Sequence, residues 1–244
     1  MTHDLILESP ATYWPFSNED LFVPAQIVIF NALGLLAPDI ECEIRLGIEE
    51  GVAAFDRYSK VESVGIAVHP HGYVSEYTGL GGMNYGPESF AVFADGTYES
   101  LRKDTRRHAA AVAVHELHHA MRTRQFLPRR LYTSPELCAG EILIMEGFAI
   151  RCEYFLDYGP SLLVNDVNPE MVNTLIDRIA PIIAEPKADW GWIYQLHDLP
   201  ARAHKAMYPM GYHIVGGYLE KRQVNPIEAL NIPWQEFWKS FRQN

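Results

Sequence analysis

The chain has 244 residues, 48% of them hydrophobic, with a formal net charge of −11 and three cysteines. That is enough apolar material for one good-sized core, while the acidic balance argues against a phosphate-backbone partner, which demands clustered Lys and Arg. Cys42, Cys138 and Cys152 are too few and too scattered for a disulfide framework and suit a reducing compartment as packing residues.

At the N-terminal end, the first 25 residues lack a basic start and an unbroken apolar stretch, so no signal peptide is expected there. The longest apolar runs, AAAVAV and ILIM, fall far short of the about 18 residues that a membrane span needs. A cytoplasmic location with no membrane partner is therefore expected. Between Asp39 and Ser59, the positions of Ile40, Ile44, Ile48, Ala53 and Phe55 predict an amphipathic helix. Short β-prone runs follow at 63–69, 73–79 and 89–95, separated by HPHG and the glycine-rich GLGGMNYGPE, and they predict a small, largely antiparallel sheet. From Tyr98 the signals turn helical: one segment ends near Thr123, another runs from Ser134 to about Asp157, and others cover 168–184, 204–222 and 233–242. Ser134-Pro135-Glu136 has the form of a helix start, a capping serine with proline at the first helical position. The one basic cluster, RTRQFLPRR at 122–130, is expected as a solvated surface turn, with a substrate-facing loop as the alternative. No repeat, low-complexity tract or linker interrupts the chain. The fold expected is a single α+β domain over 1–244, with a small mixed or antiparallel sheet packed on helices, a sheet-bearing half at 1–105 and a helical half at 106–244, and a helix carrying chemistry in the cleft between them.

The decisive stretch is AAAVAVHELHHAMRTR at 109–124, where His115, Glu116 and His119 form HExxH inside an apolar run of good helix formers. Residues four apart on a helix are separated by about 40° and one turn of rise, so both imidazoles can reach one ion. Glu116 lies about 100° round from His115, beside the ion rather than on it, where a general base for an activated water belongs. A catalytic zinc site takes three protein ligands and keeps a fourth position open. Glu146 is the best third ligand, because it sits between Met145 and Gly147-Phe148, where an unpaired carboxylate would be costly to bury. Glu141 is its rival, but points about 140° away on the same helix. Gly147 would let the two helices approach closely.

Other polar groups have weaker claims. Tyr208 and Tyr212 lie four apart on one helical face, so either, or His213, is a candidate to stabilise an oxyanion. His118 is off the metal-facing side and is expected to be exposed or an outer partner, and His108 to be a surface residue near the helix start. His69 and His71 fall in an expected turn without a role. Gly79, Gly81 and Gly82 either make a turn or form an edge strand beside the cleft, along which a peptide could pair through its backbone.

HELHH followed by EGFA resembles the gluzincin metallopeptidases, and especially a bacterial family of predicted zinc-dependent proteases. The resemblance covers roughly residues 62–222, including GLGGMNYGPESFAVFAD and YPMGYHIVGGYLEK. A more distant similarity is to the aminopeptidase-N type, whose glycine-rich strand, E-G pair and Tyr-x-x-Gly segment are matched by 81–84, Glu146-Gly147 and Tyr208–Gly211. It implies zinc on His115, His119 and Glu146, Glu116 as base, Tyr208 as oxyanion stabiliser, and Gly81, Gly82 and Asn84 at the substrate. Three positions depart from the pattern. Asn84 stands where those aminopeptidases carry an amine-binding glutamate, the spacing from His119 to Glu146 is longer, and Ile150 occupies the place of an aspartate that orients a zinc-bound imidazole. Some other group must then orient the imidazole. The function expected is a zinc-dependent hydrolase, a peptidase acting on amide bonds. The alternatives are a zinc hydrolase of a small molecule and a non-catalytic zinc-binding module, the latter marked by a fourth protein ligand such as His118 or Cys138.

Overall fold

The computed structural model describes residues 25–72, 74–126, 137–159, 164, 169–185 and 207–243. Among them are four strands, β1 (Ala25–Ile29), β2 (Val64–Pro70), β3 (Leu80–Gly86) and β4 (Ser89–Ala94). Six α-helices accompany them: α1 (Pro38–Asp56), α2 (Thr105–Phe126), α3 (Ala139–Phe155), α4 (Pro169–Ile179), α5 (Met207–Arg222) and α6 (Trp234–Arg242). The fold is α+β, as the sequence implies. None of these helices is long and apolar enough to cross a membrane.

The sheet is mixed, in the order β1-β2-β4-β3. β1 and β4 both pair with β2 in parallel, and only β3 runs antiparallel, along β4. This agrees with the mixed or antiparallel sheet expected of the fold, with more parallel pairing than the largely antiparallel strand runs suggest. Parallel neighbours need a crossover, and α1 supplies one between β1 and β2. The strand expected at 73–79 is instead a turn over the described positions: the amides of Thr78 and Gly79 donate to the Ser75 carbonyl, and Gly79 has φ 68°. The strand proper is the glycine-rich segment that follows, at the edge of the sheet beside α2.

One core lies between the sheet and helices α1 and α2. Ile44, Ile48, Phe55, Ile66, Val68, Phe90 and Val92 are all fully enclosed there, each contributing about 2 kcal/mol of transfer free energy. On α1 the inward positions near the C-terminus are Val52, Ala54 and Phe55, while Ala53 is exposed. Gly47 and Gly51 set α2 against α1: a Cβ on Gly47 would lie 2.2 Å from the Arg106 carbonyl oxygen, and one on Gly51 2.6 Å from that of Ala110. Packing thus joins α2 to the sheet, with Cys152 and Leu156 from the end of α3 in the same core.

A second core gathers α3, α4, α5 and α6 around Leu143, Phe148, Ile176, Met210 and Phe237. Gly147 does bring helices together, but the partner is α5 instead of α2; a Cβ there would be 2.2 Å from Gly211. The first described turn of α3 starts at Ala139, where the Glu141 carboxylate accepts the Cys138 amide at 2.9 Å. The Ser134-Pro135-Glu136 start lies outside the described residues, as do 127–130 of the basic cluster. Its described part is not a solvated turn. Arg122 is buried, donates to the carbonyls of Leu230 and Ile232 at 2.8 Å each, and lies over the Phe148 ring. Arg124 donates to those of Glu62 and Pro87.

Candidate metal centre

The two cores meet along α2 and α3, and the polar residues at that seam are those singled out by the sequence. His115, His119 and Glu146 each offer a ligand atom, all within 4.8 Å of one another. The Glu146 carboxylate lies 3.2 Å from Nε2 of His115 and 3.6 Å from Nε2 of His119. The two imidazoles stand edge to face with centroids 4.7 Å apart, as their one-turn separation on α2 dictates. Glu146 and His119 are buried, while His115 retains a partly open side.

Electrostatics follow from that convergence. Burial works to raise the Glu146 carboxyl, yet the imidazoles of His119 and His115 overcome it and hold the group down at about 2. Burial disfavours a charge on His115, but hydrogen bonds to Glu146 and Glu153 raise its imidazolium well above the ordinary range. His119, with burial dominant, is lowered. Two neutralisable nitrogens and an ionised carboxylate make a suitable donor set for a borderline-soft divalent ion, and their mutual spacing leaves them converging on one point. The residues present therefore fit zinc. Among the described residues no fourth side chain joins them. His118 is fully buried and stacked on Phe148 at 5.1 Å, contrary to the exposed or outer position expected. Cys138 sits at the start of α3.

Glu116 is buried next to this group, and its Oε2 has no hydrogen-bond partner among the described residues. Desolvation pushes its carboxyl up to about 8, with the charge of His115 pulling the other way. Its other oxygen lies against β3, where a Cβ on Gly82 would be 2.3 Å from Oε1. An unpaired carboxylate oxygen in a dry site is an unused proton acceptor.

The remaining expectations are met unevenly. Gly81 and Gly82 are on β3, half-buried, at the sheet edge beside Glu116. Asn84 is in the same strand but only 3% exposed; its side-chain amide donates to the Gly86 carbonyl at 3.0 Å, and its oxygen accepts the Gly86 amide at 2.9 Å. The side chain clasps the β-bulge between Asn84 and Gly86 and turns toward α2, so it does not project to a ligand. Tyr208 is half-buried against the second core. The ring of Tyr212 carries the Arg151 guanidinium at 3.6 Å, and exposed His213 meets Phe241. Glu141 is the α3 cap, which removes it as a rival ligand. His108 is half-buried rather than a surface residue, and His69 belongs to β2 instead of a turn, stacked on Phe30 at 4.9 Å.

Two groups were not foreseen. Glu153, seven residues beyond Glu146, approaches Nδ1 of His115 at 2.6 Å, and the signal for it was a second carboxylate at two-turn spacing within an apolar helix. Tyr85, at the bulge and half-exposed, has its phenol raised by burial and by the charge of Glu116. Set against models of known protein families, curated proteins and solved structures, the chain matches none of them.

Proposed function

We propose that this chain is a zinc-dependent hydrolase of the gluzincin kind, acting on amide bonds of peptides in the cytoplasm. The observation that carries the reading is the meeting of His115, His119 and Glu146 within 4.8 Å, beside a buried Glu116 whose Oε2 has no partner among the described residues. His115, His119 and Glu146 would hold the ion. Zinc supplies Lewis-acid polarisation of a carbonyl and of a water molecule when bound at such a site. Glu116 takes the proton of the attacking water at Oε2 and passes it to the leaving amine nitrogen. Tyr208 is the proposed hydrogen-bond donor to the developing oxyanion.

A peptide substrate is supported by β3. Among the described residues it is an edge strand, paired with β4 alone, and an edge strand can pair with an extended chain along its other side. Glycine at 82 leaves room beside that strand for the Glu116 side chain.

The test combines metal content with activity. The protein should take up one zinc per chain, and His115→Ala, His119→Ala and Glu146→Ala should each lose it, while Glu141→Ala keeps it. Glu116→Gln should keep zinc and fold but hydrolyse a peptide library slower by orders of magnitude. Retention of full zinc by Glu146→Ala would overturn the ligand set. Zinc uptake without cleavage of any peptide would shift the reading to a small-molecule hydrolase or a non-catalytic module.

A further inference from the structure

Glu153 is 6% exposed, and among the described residues its carboxylate has one hydrogen-bond partner, Nδ1 of His115 at 2.6 Å. Burying a carboxylate for a single contact is unfavourable for folding unless something else is gained. The placement follows from helix geometry. Residues seven apart on α3 differ by only about 20° in direction, so Glu146 and Glu153 share the face turned to α2. Glu146 approaches both His115 and His119, while Glu153 approaches His115 alone, so the two helices run antiparallel along the seam. His115 is thereby held between two carboxylates, one at each ring nitrogen.

We infer that Glu153 is the positioning residue of the metal centre, fixing the His115 ring so that Nε2 is the nitrogen offered to the ion. An imidazole whose Nδ1–H is donated to a carboxylate keeps its Nε2 lone pair free and its ring plane fixed. Nε2 of His115 faces Glu146, which is where the three donors converge. Glu153 does not belong to that group of donors and acts through His115 alone. It fills the need left by Ile150, which cannot hydrogen-bond, from a position one turn further along the same helix.

The inference rests on the proposed metal reading, so its test reads metal affinity and fold separately, without recourse to turnover. Zinc affinity of Glu153→Leu, Glu153→Gln and wild type is measured by chelator competition, and thermal stability is measured on the metal-free proteins. Loss of an outer carboxylate should weaken zinc by about 10- to 100-fold in Glu153→Leu. Glu153→Gln, which retains an acceptor for Nδ1–H without the charge, should fall in between. Removing one partner of the buried His115–Glu153 pair lowers the melting of the metal-free variants under either role, so zinc affinity is the readout that discriminates: a merely structural role predicts lower melting with zinc affinity kept. Should Glu153→Leu fail to fold, the Glu153→Gln comparison decides. Tight zinc binding by wild type with affinity within two-fold in both variants would overturn the role of Glu153 alone. No zinc uptake by wild type would sink the metal centre itself.

Discussion

The carboxylate of Glu116 occupies the space that a side chain at position 82 would fill: a Cβ on Gly82 would lie 2.3 Å from Oε1 and 2.6 Å from Cγ. Glycine here serves neither a turn nor a positive φ. It lets the backbone of β3 and the Glu116 side chain occupy one small volume. Gly82→Ala should therefore leave zinc content unchanged and displace the carboxylate. Since a misplacement of about 1 Å can cost about 100-fold in rate, hydrolysis should drop by that order. Gly217→Ala is the control: nothing lies within 4 Å of its Cβ position, and in mid-helix the change should stabilise by about 0.5–1 kcal/mol. Equal activity in both variants would disconnect β3 from the chemistry.

Glu116 also predicts a pH dependence of the metal-free protein. Its folded-state value of about 8 lies above its ordinary 4.5 because burial disfavours the charge. A group raised in the folded state favours folding fully below its unfolded value, and that contribution is lost as pH climbs through the folded one. Between pH 4.5 and about 8, wild type should therefore lose stability relative to Glu116→Gln, and the gap should level off above. Its size should be on the order of a few kcal/mol. Denaturant unfolding of both proteins with chelator present, at several pH values, measures it; parallel curves throughout would contradict the buried, unpaired placement.

Two tyrosines are candidates for the oxyanion contact of the proposed reaction. Tyr208→Phe should retain zinc and lower kcat about 100-fold, the scale seen for removing one donor to an oxyanion, while Tyr85→Phe should act mainly on KM because Tyr85 is half-exposed on the strand proposed to bind substrate. Steady-state kinetics of the two variants on one peptide separates these roles. The reverse ranking would assign the donor to Tyr85, whose phenol senses the charge of Glu116.

Asn84 bears on which peptides the proposed activity would favour. Its amide is enclosed and bonded to Gly86, so the strand presents no acidic or amide side chain at that position to a free amino terminus. Peptides with acetylated N-termini should be cleaved at least as well as free ones. A strong preference for free termini would place amine recognition on another acidic group. Asn84→Ala should destabilise the protein by about 1–3 kcal/mol, through the unpaired backbone groups it leaves in the bulge.

Much of the candidate metal centre is legible in the sequence, because its parts are local. The spacing of His115 and His119 places both imidazoles on one side of α2 whatever α2 packs against. Glu146 was legible as a carboxylate stranded among Met145, Gly147 and Phe148. Misreadings arose where a residue's role depends on a distant backbone. Arg122 belongs to a basic-looking run, yet its guanidinium is enclosed by the carbonyls of Leu230 and Ile232. β3 begins after the turn at Ser75–Gly79 because the hydrogen bonds of that turn and the pairing with β4 outweigh the β-propensity of the 73–79 segment.

By itself, then, the sequence determined which faces of α2 and α3 carry nitrogen and carboxylate donors, since side-chain direction on a helix follows from its own periodicity. Only the tertiary structure decided which of those donors meet. The fit of Gly47 and Gly51 on α2, and of Gly147 on Gly211, sets the helices at separations that no local pattern encodes. That packing brings Glu153 to His115 and Gly82 to Glu116, because contacts between elements depend on the summed shape of both cores and not on the spacing within either chain segment.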